Sequence, residues 1–189
     1  MDHSDNSAVT AFVAVGSNID PQSNIPAALE LLKQHVHITG SSTFYRTEPV
    51  GSADQPSFVN GVWRVETCLG PRQIRLQVLS RVERRLGRVR TEDKFAPRTI
   101  DLDLTLYECL QCDEPDLVLP HPDVSRPFVH VPLMELLEGL PDSLRDRLCR
   151  LILPVVRQSG SMCEAGRPLP ALTARLRQML ANPADQAQV

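Results

Sequence analysis

Two aspartates one residue apart, Asp101 and Asp103, stand in the run Thr99-Ile100-Asp101-Leu102-Asp103-Leu104-Thr105-Leu106. Polar and apolar residues alternate there, the pattern of a strand with one buried face. The alternation predicts Thr99, Asp101, Asp103 and Thr105 on one side, with Ile100, Leu102, Leu104 and Leu106 on the other. Aspartate is a poor strand former, so two on one face need a purpose. Side chains at i and i+2 lie roughly 6.5–7 Å apart along a strand. Carboxylates so spaced can converge on one Mg²⁺ or clamp two ions about 3.5–4 Å apart. The competing reading is a solvated face whose two charges merely repel. Arg98, on the loop side, favours the metal reading, because a guanidinium there can meet a phosphate held on the ion. With Arg88 and Arg90, it brackets a polar loop leading into the strand. Cations beside paired carboxylates are the charge layout of a nucleoside-triphosphate site.

Other residues invite chemistry less strongly. Asn60 follows Phe58 on an expected strand face, and its amide offers a donor and an acceptor together, which suits the edge of a heterocycle. His121 lies between Pro120 and Pro122, so its ring is held on a rigid extended segment. Gly16-Ser17-Asn18 forms a turn whose backbone N–H groups could approach an anion. Cys109 and Cys112 have metal-like spacing but no second pair, and they read as incidental thiols at a strand end. Neither lysine, Lys33 or Lys94, lies in a G-x-x-x-x-G-K-[ST] loop, which disfavours a P-loop kinase.

The elements that must position these groups follow from periodicity. Val9–Val15 reads as a buried strand and 22–35 as a helix. Ile38–Tyr45 is a second strand. Phe58–Thr67 is a third, with Phe58, Asn60 and Val62 on one face, Val59, Trp63 and Val65 on the other, and a bulge expected at Gly61. Pro71–Leu86 is a helix whose Arg75, Arg81, Glu83, Arg84 and Arg85 read as its solvated side. A short helix begins at Met134. Arg145–Gln158 and Ala171–Leu180 are helical, with Ser159-Gly160-Ser161 and Pro168 between them. This order predicts an α+β fold: a ferredoxin-like antiparallel sheet with helices on one face, plus a helical C-terminal extension. The expected organisation is a loose N-terminus (1–8) and a single domain (9–189). Within it, the core spans 9–140, the helical extension 141–181 and a frayed tail 182–189.

At 189 residues the chain can bury a substantial core, and a hydrophobic fraction of 42% is that of a globular protein. The net charge of −3 gives no case for nucleic-acid or membrane binding. Five cysteines, with no apolar leader, fit a reducing cytoplasm. A monomer is expected, with a dimer as the alternative.

In chain order, Gly16-Ser17-Asn18, S-T-F-Y-R-T-E-P-V-G-x-x-x-Q-P-x-F-x-N (Ser42 to Asn60), A-P-R-T-I-D-L-D-L (Ala96 to Leu104), L-P-H-P (Leu119 to Pro122) and Arg126-x-Phe128-x-x-x-Pro132-Leu133 resemble the 6-hydroxymethyl-7,8-dihydropterin pyrophosphokinases. The resemblance covers about Val9 to Leu137. It implies transfer of pyrophosphate from ATP to the hydroxymethyl oxygen of 6-hydroxymethyl-7,8-dihydropterin, releasing AMP, in folate biosynthesis. It implies two Mg²⁺ ions on Asp101 and Asp103, with Arg88 and Arg98 as further catalytic groups. ATP contacts fall on Glu83, Arg88, Arg98, Ile100, His121 and Arg126, and pterin contacts on Thr47, Pro49, Val50, Phe58, Asn60 and Phe128. Two loops, near 50–55 and 88–97, close over the substrates in the family. Thr91 stands where many members carry a basic residue, Phe95 replaces a tryptophan of some relatives, and Leu144–Pro168 is longer than the usual tail. The alternatives are another two-metal transferase with a changed acceptor, against which Phe58, Asn60 and Phe128 argue, and a ligand-binding module, which has no need of two metal carboxylates.

Overall fold

The computed structural model describes residues 8–49, 55–89, 96–158 and 165–181. Strand β1 (Val9–Ser17) continues two residues beyond the apolar run, through Gly16 and Ser17. Helix α1 (Pro21–Lys33) follows, with proline in its first turn, where a missing N–H costs nothing. The expected second strand is two strands, β2 (His37–Ser41) and β3 (Tyr45–Thr47). Between them the Ser42 hydroxyl, not a strand carbonyl, accepts from Val62 N–H at 2.9 Å. β4 (Phe58–Thr67) leads to a helical run made of α2 (Pro71–Gln73), a π-helical stretch (Ile74–Leu79) and α3 (Ser80–Arg85). After β5 (Asp101–Tyr107) comes a hairpin, β6 (Cys112–Glu114) and β7 (Leu117–Leu119), which the sequence did not signal.

Helix α4 (Pro127–Leu137) starts seven residues before the expected Met134. Of its prolines, Pro127 occupies the first turn and Pro132 forfeits one hydrogen bond, to the carbonyl four residues earlier. Helix α5 (Asp142–Gln158) begins three residues early, and α6 (Pro170–Ala181) is preceded by a two-residue strand, β8 (Arg167–Pro168), where Pro168 was expected only as a separator.

The main sheet has the order β5-β1-β4-β3-β8, with β2 also on β4, and its pairings are antiparallel. Helices cover both faces, which corrects the one-face expectation. On one face Ile25, Leu29 and Leu32 of α1, Val78 and Val82 of the π–α3 run, and Leu172 and Leu176 of α6 pack on Val13, Trp63, Leu102 and Leu104. On the other, Leu133 and Leu137 of α4 and Leu148 and Ile152 of α5 pack on Phe12, Val62 and Leu106. Each fully buried side chain of this size contributes roughly 1.5–3 kcal/mol.

Two register features decide what each face presents. β4 pairs with β1 without a break from Val9↔Thr67 to Ser17↔Val59, so no bulge exists at Gly61. That glycine admits the Phe44 ring: a Cβ there would lie 2.7 Å from it. Register shifts lie instead between β2 and β4, at Ile38/Gly40, and between β1 and β5. Phe12 pairs with Leu106 and Val13 with Leu104, leaving Thr105 as the extra residue, its hydroxyl donating to the Phe12 carbonyl at 2.9 Å. Leu106 is thereby turned to the opposite face from Leu102 and Leu104, contrary to strict alternation. One strand thus supplies carboxylates to an open region and, past the bulge, a leucine to the core on that same face.

Candidate active site

The open region is the part of the second sheet face that α4 and α5 leave uncovered. Gly16 pairs with Asn60 on one side and with Asp101 on the other, and Ala14 likewise lies between Val62 and Asp103. Neighbouring strands are about 4.8 Å apart, so the Asn60 and Asp101 backbones stand roughly 10 Å from each other across β1. The floor between them must be small. A Cβ at position 16 would sit 2.8 Å from Asn60 Oδ1.

Asp101 carries the densest charge network. Arg88 Nη1 donates to its Oδ1, and Arg98 Nη1 donates to its Oδ2. Burial pushes the Asp101 carboxyl up, but these two guanidiniums outweigh it and hold the group below the ordinary carboxylate value. Arg88 is fixed in turn by Glu83 Oε1 at 2.9 Å and the Ile100 carbonyl at 3.0 Å. Glu83 is only 3% exposed, which corrects its reading as part of a solvated helix side. It also accepts from Leu102 N–H at 3.0 Å. A carboxylate so buried requires partners of this kind. Arg98 is anchored through its backbone: its N–H donates to Asn18 Oδ1 at 2.7 Å, and its carbonyl accepts from Asn18 and Ile19. Gly16 and Ser17 thus belong to strand β1 rather than to the expected turn, and Asn18 at its end positions an arginine. Ser17 adds a 2.6 Å bond to the Thr99 carbonyl.

Asp103 has the opposite electrostatics. Burial, and then the Asp101 charge, push its carboxyl up to about 6, with His121 acting the other way. One carboxylate neutralised by arginines beside one left short of positive charge is a donor set that suits Mg²⁺, which takes one or two protein carboxylates and completes its shell with water and phosphate oxygens. Among the described residues there is no cluster of three or more His, Cys, Asp or Glu side chains arranged to hold a metal unaided. Among the described residues, Cys109, Cys112 and Cys149 are unbridged thiols.

His121 is extended, as its flanking prolines predict, and caps a 3₁₀ turn at Pro122–Ser125. The Asp123 N–H points at His121 Nδ1 at 3.3 Å, which leaves Nε2 as the protonated nitrogen and a donor. Asp123 itself was not anticipated. It lies 3.8 Å from Arg126 Nε and lines both halves of the cleft. Its signal was an acidic residue two after the histidine in a short proline turn.

The cleft has two joined parts. One, about 370 Å³, is lined by Gly16, Thr47, Phe58, Asn60, Arg126 and Phe128, among others. The other, about 470 Å³, is lined by Arg75, Ser80, Arg88, Asp103 and neighbours; Arg98, Asp101 and Asp123 face both. In the first, Asn60 Nδ2 donates to Thr47 Oγ1 at 2.8 Å, and the Arg98 guanidinium lies 5.7 Å over the Phe58 ring. Ile100 is fully buried and lines neither part; its carbonyl accepts from Arg88. Pro49 is partly exposed at the end of β3's trailing segment and does not line the cleft. Val50, Gly51, Arg90, Thr91 and Phe95 lie outside the described residues.

Comparison with known proteins gives a consistent result. The family described as 7,8-dihydro-6-hydroxymethylpterin-pyrophosphokinase matches residues 12–138. The 2-amino-4-hydroxy-6-hydroxymethyldihydropteridine pyrophosphokinase of Haemophilus influenzae is 41% identical over 138 residues, covering 70% of this chain and 84% of that protein. Its Bacillus subtilis counterpart is 39% identical over 130 residues, covering 67% and 77%. A folate synthesis bifunctional protein of Arabidopsis thaliana is 35% identical over 156 residues, 81% of this chain but 32% of that longer protein. The chain belongs to the 7,8-dihydro-6-hydroxymethylpterin-pyrophosphokinase family.

Proposed function

We propose that this cleft carries out the Mg²⁺-dependent transfer of pyrophosphate from ATP to 6-hydroxymethyl-7,8-dihydropterin, giving AMP and the pterin diphosphate in folate synthesis. The observation that carries the reading is the register Asn60–Gly16–Asp101. It sets an amide suited to a heterocycle edge one strand away from the carboxylate and arginine cluster suited to a triphosphate.

The pterin lies in the part lined by Thr47, Phe58, Asn60 and Phe128, its ring flanked by the two phenylalanines and its edge bonded to the Asn60 amide. ATP takes the part lined by Arg88 and Arg98, with His121 and, from the edge of the pterin part, Arg126 as further contacts, while the buried Glu83 and Ile100 act on it through Arg88. Because AMP leaves, the hydroxymethyl oxygen attacks the β-phosphorus, and the bond from that phosphorus to the α-bridging oxygen breaks. Two Mg²⁺ ions on Asp101 and Asp103 would neutralise the triphosphate and favour the ionised hydroxyl. Arg88 and Arg98, which also bond Asp101, lie where they can meet phosphate oxygens and stabilise charge on the transferred and leaving groups. His121 Nε2–H donates to a phosphate oxygen. Positioning and charge neutralisation suffice for this displacement, and no side chain is assigned as general base.

The strand order supports a ferredoxin-like plan for one domain beginning at residue 9, with 141–181 as its helical extension. The unbridged Cys109, Cys112 and Cys149 and the ATP requirement support the cytoplasm, and the negative net charge supports small-molecule rather than nucleic-acid or membrane partners. We take the chain as a monomer. The deciding assay is AMP release from ATP and Mg²⁺ with and without the pterin. Pterin-dependent AMP is expected. ADP would overturn the reaction, and tight pterin binding without nucleotide turnover would make the chain a binding protein.

A further inference from the structure

The family match ends at residue 138, yet the chain beyond it returns to the pterin side of the cleft. Arg167 and Pro168 pair with Arg46 and Tyr45 at the sheet edge. Leu169 N–H donates to the Phe44 carbonyl at 2.8 Å, and the Thr173 hydroxyl accepts from Phe44 N–H at 3.0 Å. Leu172 and Leu176 are buried against the same core as Phe44, which seats α6 firmly. The segment is therefore tied along the strand that carries Thr47.

Gly166 is where this tie presses closest. Its φ of +111° is one that L side chains rarely adopt. An added Cβ would lie 2.3 Å from the Arg46 carbonyl oxygen and 2.9 Å from Thr47 Cγ2. Thr47 in turn accepts from Asn60 Nδ2 through its hydroxyl, which fixes which way the Asn60 amide faces.

We propose that Ala165–Pro168 is a positioning element of the pterin pocket, acting through Gly166 on Thr47 and through Thr47 on the Asn60 amide. This rests on Asn60 contacting the pterin. The C-terminal segment then sets acceptor affinity without touching the acceptor, and leaves the nucleotide half of the cleft unaffected.

The test is KM for each substrate, at saturating concentrations of the other, in Gly166→Ala, Thr47→Val, their double variant and Asn60→Ala. Gly166→Ala is expected to raise the pterin KM about tenfold and move the ATP KM less than twofold. The double variant should be no worse than the poorer single one, because both act on the same amide. Should Gly166→Ala fail to fold, Arg167→Gly/Pro168→Gly loosens the segment while Leu172 and Leu176 keep α6 seated, and the same selective rise is expected. Equal changes in both KM values, or an unchanged pterin KM in a folded variant, overturn the proposal while Asn60→Ala still weakens pterin. If Asn60→Ala leaves the pterin KM unchanged, the reading of the pocket falls and the proposal with it.

Discussion

Asp103→Asn should make the metal-free protein more stable at pH 7.5 while abolishing turnover. Asp103 titrates near 6 in the fold rather than at the ordinary 3.8, because burial and Asp101 oppose its charge. A raised carboxyl means that the folded chain binds more protons than the unfolded one between those values, so this group's contribution to stability falls as pH rises through that window. Integrated to pH 7.5, the ionised carboxylate costs on the order of 3 kcal/mol; at pH 4 the cost falls to well under about 1 kcal/mol. An amide removes the charge but still needs hydrogen bonds, so a gain of about 1–3 kcal/mol is expected at pH 7.5, or several degrees in Tm for a chain of this length. The assay is thermal unfolding in EDTA at pH 7.5 and pH 4, comparing variant with wild type at each pH so that other titrations cancel. The gain should shrink to nearly nothing at pH 4. In the presence of Mg²⁺ and a non-hydrolysable ATP analogue, only wild type should gain stability. A variant less stable than wild type at pH 7.5, or equally stabilised at both pH values, would refute the electrostatic account.

Asp101→Ala should behave in the opposite way. It strips the acceptor shared by Arg88 and Arg98, leaving two half-buried guanidiniums facing each other, so urea unfolding should show a loss of about 3 kcal/mol. AMP formation should fall below the detection limit. Gly61→Ala forces a methyl onto the Phe44 ring and should cost about 1–3 kcal/mol of stability, read as a lower urea midpoint, while both KM values stay within twofold.

The contrast between Asp101 and Asp103 shows what one dimension conveys. Both aspartates were legible, because alternation depends on neighbours in sequence and the β5 backbone obeys it as far as Leu104. Their unequal charge environments were not, since Arg88, Glu83 and Asp101 meet only once a helix end is packed on a strand. Glu83 was misread for the same reason: in a row of arginines it looks solvated, and only the Leu102 N–H and Arg88 reveal a buried acceptor. Gly61 was read as a bulge from its lack of a side chain. The same lack serves instead to admit a ring from another segment, and the β1–β5 bulge at Thr105 has no compositional mark. Asp123 and β8 needed contacts across more than a hundred residues or a turn geometry that the proline pattern only hinted at.

The bulge also explains why a catalytic cleft can coexist with a continuous core on one sheet face. Without it, Leu106 would join Leu102 and Leu104 beneath α1 and α3, and a polar strand end would face α4 and α5. With Thr105 absorbed by its bond to the Phe12 carbonyl, Leu106 pairs with Phe12 under those helices. The two aspartates, two and four residues before Thr105, keep the cleft side. Gly16 and Ala14 on β1 hold the floor low enough for both carboxylates and the Asn60 amide to stand above it. The chemistry at the cleft is thus tied to a single extra residue in the β1–β5 ladder. Pairing Thr105 with Phe12 as an ordinary ladder residue would exchange the faces of everything on β5 beyond it, setting core packing and site geometry in direct conflict.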